Sequence, residues 1–293
     1  MSLATAVVLA VTTVPVVTAA ASVPAAVSSP AGVSGAVVLG GGASGSVSEQ
    51  TGAFAMVLPL VSLAGRGSMG VELALSYGQG AAAAGADRHG LGQGMGLGKA
   101  FIDPEGAGTL HTASGGSYQL RPGDMTGTGL ERYLLNDLAL RDAPGTLPAR
   151  EGMDGVSRAY RWVLAYSDGR KNFFSAEGDL VAEQDVFGHE TAYVWEVRDG
   201  QHRLEKAVDA YGQAVTFDYS TENQVTVTSP VRSDGKRPQI VLHLAEGRLD
   251  SVTYPENQTI RLAWDYTPDG QPGRLLTRVE SPVGAVTRVS YDR

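Results

Sequence analysis

The 293-residue sequence contains no cysteine. That excludes a disulfide scaffold, thiolate metal sites and cysteine nucleophiles, and leaves the compartment open, because exported proteins can also lack the residue. Positive charge is scarce as well: Lys and Arg number 23 against 31 Asp and Glu, for a net charge of -8 and a pI near 5.1. A phosphate-backbone partner requires clustered Lys and Arg, so no nucleic acid is expected as a partner. The five histidines, His89, His111, His189, His202 and His243, never pair at metal-ligand spacing, and no Gly-x-Ser-x-Gly nucleophile elbow occurs. No catalytic residue, cofactor or metal ligand is assigned, although carboxylates distant in sequence can meet in space as an acid-base pair.

What is plentiful is turn chemistry. With Gly 38 and Pro 14 the chain is too rich in helix breakers for a helical protein, while 43% hydrophobic content is too high for a disordered one. The class is all-β with many turns, in one large domain or two smaller ones.

The chain is organised around a sentence said twice. Leu180 to Trp195 (LVAEQDVFGHETAYVW) is followed 24 residues later by Leu204 to Tyr219 (LEKAVDAYGQAVTFDY). Leu180 falls on Leu204, Asp185 on Asp209, Gly188 on Gly212, Tyr193 on Phe217 and Trp195 on Tyr219. Leu249, Asn257, Leu262 and Trp264 repeat the pattern at an offset of 45 from Leu204, and Leu276, Gly284, Val289 and Tyr291 at an offset of 72. Such fixed spacing signals units that bury their apolar faces against their neighbours.

Each unit reads as a hairpin. Tyr193/Trp195/Val197, Val215/Phe217/Tyr219 and Ile260/Leu262/Trp264 alternate with polar residues, which marks half-buried strands. The Asp-x-x-Gly centre supplies the turn, because Asp bonds the backbone that follows it and Gly takes positive φ without steric cost. Asp-Gly pairs beginning at Asp154, Asp168, Asp199, Asp234 and Asp269 add hairpin signals. The aromatic ladder could serve as a stacking platform, but a unit that must bury itself needs those rings for its core.

No charged residue precedes Glu49, and Leu3 to Val23 is an apolar run that ends in the small-residue pattern Ala19-Ala20-Ala21. Residues 1–23 read as an export signal, a retained membrane anchor or an apolar segment buried by the rest of the protein, without the usual basic start and interrupted by Pro15, and 24–48 as a flexible linker. Residues 46–150 form a β-rich amino-terminal cap region, in which Phe54/Met56/Leu58/Leu60 and Val71/Leu73/Leu75/Tyr77 flank a turn at Gly65-Arg66-Gly67-Ser68. Gly78 to Ala86 reads as a loop. The alternating glycines of Gly90 to Gly98 match neither the dinucleotide fingerprint nor the P-loop, and suggest a strand with close backbone approach. Leu130, Tyr133, Leu134 and Leu138 have helical spacing, and 142–153 reads as a loop before the hairpin region 151–293.

The Gly-x-x-x-x-aromatic-x-Tyr rhythm of 188–195 and 212–219 resembles the YD repeats of rearrangement-hotspot (Rhs) proteins, which also occur in toxin-complex B and C components and in teneurins. The upstream stretch, Thr51-Gly52-Ala53-Phe54, Leu58-Pro59-Leu60, Gly65-Arg66-Gly67, Val71 to Tyr77 and Gly90-Leu91-Gly92, is similar to the region that precedes the repeats in those toxins. The resemblance implies antiparallel hairpin repeats that form a curled, shell-like sheet, a non-catalytic scaffold that encloses and helps deliver a C-terminal toxin domain. It implies as partners further YD repeats or a partner shell chain and the enclosed toxin domain, with a secreted or cell-surface location. Only four or five units are present, and no self-cleavage motif or toxin domain is found, so the hairpin region reads as incomplete. The alternative is an adhesion module whose aromatics bind cell-surface glycan. Because the last unit looks like an interior one, the strand at Tyr291 is expected to leave an unpaired edge.

Overall fold

Residues 7–10, 37–40, 43–48, 52–67, 69–113, 115–121, 123, 127–135, 137–267 and 274–291 are described by the structure, a computed structural model. Ser68, the Asp269 turn and most of the expected signal and linker lie outside them. The chain opens with β1 (Val7–Ala10), β2 (Val37–Gly40), β3 (Ala43–Val47), β4 (Phe54–Arg66), β5 (Met69–Gly78), a short helix α1 (Gln79–Ala83) and β6 (Met95–Gly96). The middle holds β7 (Phe101–Asp103), β8 (Thr109–His111), β9 (Ser117–Gln119), β10 (Leu138–Leu147), β11 (Arg158–Tyr166), β12 (Lys171–Phe174), β13 (Leu180–Gln184), β14 (Glu190–Arg198), β15 (Gln201–Val208) and β16 (Ala214–Asp218). It ends with β17 (Gln224–Thr228), β18 (Gln239–Ala245), β19 (Arg248–Tyr254), β20 (Gln258–Ala263), β21 (Arg278–Glu280) and β22 (Val286–Tyr291). The fold is nearly all β and antiparallel.

Two compact units result, one of 1–60, 73–98 and 217–293, the other of 61–72 and 99–216. The chain crosses from one unit to the other after Leu60, Glu72, Gly98 and Thr216. In the second unit β10 through β16 pair in sequence order, each antiparallel to the next, and β7, β8 and β9 form a separate small sheet. Leu147, Phe173 and Ala182 are packed together there with Tyr160 and Val163 around them. In the first unit β17 through β22 pair in the same serial way. Its core is aromatic: Tyr77 lies 5.9 Å from Phe54 and 5.5 Å, edge-on, from Trp264.

Alternation places the side chains. Phe54, Met56, Leu58 and Leu60 on β4, and Val71, Leu73, Leu75 and Tyr77 on β5, are buried as the period of two requires. Val215 and Phe217, and Ile260, Leu262 and Trp264, are buried likewise, whereas the apolar face of β14 runs out into solvent at Val197.

Several expectations are corrected. Gly78 to Ala86 contains α1, since a run of alanines favours helix. The glycine run is strand only at Met95–Gly96, but close approach does occur: a Cβ at Gly92 would lie 2.6 Å from the Leu249 nitrogen. The helical spacing of Leu130, Tyr133, Leu134 and Leu138, on which no helix is assigned, produces none among the described residues: Leu130 bridges to Leu120, and Leu134 and Leu135 are exposed. Residues 142–147 belong to β10, which absorbs Pro144 in a bulge between Asp142 and Gly145. As β10 is the end strand of its series, the missing proline N–H costs no ladder bond on its open side. Within the expected linker, Val37–Gly40 and Ala43–Val47 are paired strands that extend to β4. The edge at Tyr291 is not open either: β1 pairs antiparallel with β22.

Candidate functional site

The residues singled out by the recurring sentence form one local device. Asp185 accepts from the amides of Phe187 and His189 with the same oxygen, and Asp209 does the same for Tyr211 and Gln213, all at 2.8–2.9 Å. In both turns the glycine amide, of Gly188 or Gly212, donates to the aspartate carbonyl three residues back. Ser281 replaces the aspartate ahead of Gly284, with Oγ accepting from the amide of Ala285 at 3.1 Å. The turn before β20 keeps three loop residues but seats Asn257 at positive φ where Gly212 stands in its counterpart. Asn tolerates that region better than most residues.

These turns fix a register, and the register creates a latch. Trp195 donates from its indole to the carbonyl of Leu180, and Trp264 to that of Leu249, both at 2.7 Å, while the Tyr291 hydroxyl reaches the carbonyl of Leu276 at 2.6 Å. Each donor is 15 residues beyond its leucine. Tyr219 stands at the corresponding place after Leu204. All four leucines are fully buried, and Tyr193 and Phe217 are buried as well. The rings expected to stack on glycan are therefore in or against the core. Exposed instead are Phe187 and Tyr211, the equivalent third residues of the two Asp-x-x-Gly turns.

The second unit also holds two ionic clusters that the sequence did not announce, one half-buried and one buried. Lys99 Nζ lies 2.9 Å from Glu183 Oε2, which accepts from the Tyr193 hydroxyl at 2.5 Å as well. Burial alone would raise the Glu183 carboxyl, but the Lys99 ammonium and the Tyr193 hydroxyl hold it below the usual carboxylate range. Burial would likewise lower Lys99, and Glu183 outweighs it, so the ammonium is held above its ordinary value. Nearby, burial pushes Tyr166 up to about 12, with Glu183 adding to the rise. A charged lysine and an ionised glutamate at this distance form a clamp between residue 99 and β13. In the other cluster Arg158 pairs with Asp154 at 2.5 Å and lies 3.8 Å from Glu190, which accepts from Arg150 at 3.2 Å.

Three histidines have fixed neighbours. His189 Nδ1 is 2.8 Å from Asp185, His202 Nδ1 is 2.7 Å from Asp179, and His111 stacks on Phe101. Among the described residues no group of three His, Asp or Glu side chains is arranged to hold a metal ion. No helix of the described residues is long and apolar enough to cross a membrane. A cavity of about 160 Å³ beside Leu120, Leu140, Arg161 and Trp162 is smaller than the several hundred Å³ usual for ligand pockets.

No family model matches the chain, and no curated protein does. Among solved structures the chain is similar to a chain of the Photorhabdus luminescens Tc holotoxin pore, at 14% identity over 90% of this chain and 16% of that one, with a TM-score of 0.37. Crystal structures of TcdB2-TccC3-Cdc42 and TcdB2-TccC3-TEV match 80% of this chain and 15% of theirs at the same identity, with TM-scores of 0.37 and 0.34. The likeness is coarse. This chain spans 15 to 16% of the length of those chains.

Proposed function

We infer that the chain is a non-catalytic scaffold, part of a β-shell that encloses and helps deliver a toxin domain in a secreted bacterial toxin of the Rhs or toxin-complex kind. The observation that carries this reading is the latch of Leu180/Trp195, Leu249/Trp264 and Leu276/Tyr291, repeated at one fixed span. A device that re-creates the same hairpin with the same register suits a wall that grows by serial strand addition, since each hairpin needs only its neighbour to be stable. The resemblance to YD repeats points the same way. The half-buried Lys99-Glu183 clamp supports rigidity. In this role the partners are further repeats or a second shell chain, together with the enclosed domain.

The test is purification of the complete gene product from its native host, followed by limited proteolysis. A second polypeptide segment that resists protease until the β-shell is unfolded, and that is toxic once released, is the expected result. A product with no protected segment and no further hairpin units overturns the reading. A second reading, adhesion through glycan, rests on the exposed rings of Phe187 and Tyr211. It predicts glycan-array binding that is lost when both are changed to Ser.

A further inference from the structure

In the first unit β17 through β22 each pair with the strands adjacent in sequence, and the neighbour of β22 on its far side is the exception. That neighbour is β1, with Val7 opposite Tyr291, Val8 opposite Ser290, Leu9 opposite Val289 and Ala10 opposite Arg288. It comes from the far end of the sequence and is joined to β2 through residues 11–36.

The strand it covers is built like an interior one. On β22 Thr287 and Val289 are buried, and Arg288 and Ser290 face outward, the same alternation as on β20. Neither a bulge nor a proline blunts it, whereas the end strand β10 carries a bulge and Pro144. In the second unit β10 is protected by its own sequence, and in the first unit β22 by a borrowed strand.

The borrowed strand fits imperfectly. Arg288 stands directly across from Arg278 on β21, and like charges in that position repel. Arg278 has Glu280 at 2.6 Å, but among the described residues Arg288 makes no ion pair, and β1 offers it Ala10. An occupant with a carboxylate at that register would complete the row.

We propose that the β22 edge is a strand-acceptor site, held by β1 as an exchangeable cap, for a partner chain's antiparallel strand that alternates apolar residues and places Glu or Asp opposite Arg288. Main-chain hydrogen bonds supply affinity in such strand addition, and the alternate side chains supply specificity. The expected export-cleavage pattern at Ala19-Ala20-Ala21 lies beyond β1 in the same run, so processing there would remove the cap and bare the edge.

The experiment compares the full chain with its Leu9→Pro variant, in which proline unseats β1. Hydrogen exchange at 286–291 is expected to speed up, while 214–218 is unchanged. Peptides of residues 3–14 are then added to that variant, either native or carrying Ala10→Glu. The acidic peptide is expected to restore protection and to bind about two- to fivefold more tightly than the native one. In the Leu9→Pro/Arg288→Gln double variant that advantage disappears. Unchanged exchange in Leu9→Pro, or equal binding of the two peptides, overturns the proposal. So does a concentration-dependent dimer of Leu9→Pro with 286–291 protected, because the edge would then be filled by a second copy and not by a partner chain.

Discussion

The indole nitrogen of Trp264 donates to the carbonyl of Leu249, 2.7 Å away, and the pair sits almost wholly out of solvent. The leucine fills the core on one strand while its carbonyl anchors the ring that follows the next strand, so a single contact ties side-chain packing to strand register. Trp195 and Leu180 repeat it with the ring only half-buried. Trp264→Phe keeps most of the apolar area but orphans a buried acceptor, and is expected to cost about 1–3 kcal/mol in urea unfolding. Trp195→Phe should cost less, because water can reach the freed carbonyl. Equal costs, or none, would mean that the rings act through area alone.

Lys99 and Glu183 are far apart in sequence and 2.9 Å apart in space. Breaking such a pair from one side leaves a half-buried charge without its counter-ion. Lys99→Met is therefore expected to destabilise by about 1.5–3 kcal/mol, and the double variant Lys99→Met/Glu183→Leu to recover most of that loss. A double variant as unstable as the sum of the two singles would show that the charges do not interact.

Hairpins and turns were legible because each is local. The leucine, the Asp-x-x-Gly turn and the aromatic lie within one 16-residue window, and a period of two or a turn residue shows directly in the letters. The ionic clusters were not legible, since Lys99 meets Glu183, and Arg158 meets Glu190, only after several strands have been laid side by side. The pairing of β1 with β22 was missed for the same reason at greater range: an apolar run without charges looks alike whether it enters a membrane, a core or a sheet edge. Residues 142–147 misled because proline argues against a strand except at an edge, and sequence does not say which strand is the edge.

Acid should loosen the second unit. Burial tends to raise Asp185, but its bonds from His189 and Phe187 outweigh this and hold the carboxyl below its ordinary value. Asp154 is lowered too, against its own burial, by Arg158. A depressed folded-state pKa contributes stability that is complete above the unfolded value of about 3.9 and is lost as pH falls through the folded value. Unfolding free energy is thus expected to be flat from pH 7 to about 5 and to fall below about pH 4. Asp185→Asn retains an oxygen for the turn amides and removes the charge, so its profile should start lower and fall less steeply. A parallel profile would assign the acid sensitivity to other groups.

Gly188 and Gly212 occupy the same place in successive turns, at φ of 80° and 78°, so any L-residue is strained equally at either. Their surroundings differ. A Cβ at Gly188 would meet nothing within 4 Å, whereas one at Gly212 would lie 2.3 Å from the Gly152 carbonyl oxygen. That oxygen belongs to the backbone of the loop before β11, whose Asp154 is tied to Arg158 at the start of β11 in a buried ion cluster, so it cannot swing aside as a flexible side chain would. Gly188→Ala is accordingly expected to cost about 1–2 kcal/mol, the penalty of left-handed backbone alone. Gly212→Ala should cost about 1–3 kcal/mol more, as overpacking adds to the same backbone strain. It should also raise hydrogen exchange in the loop at 150–157, while Gly188→Ala leaves that loop unchanged. Equal losses for the two alanines, with the loop unaffected in both, would show that the 150–157 loop does not rest on the Gly212 turn.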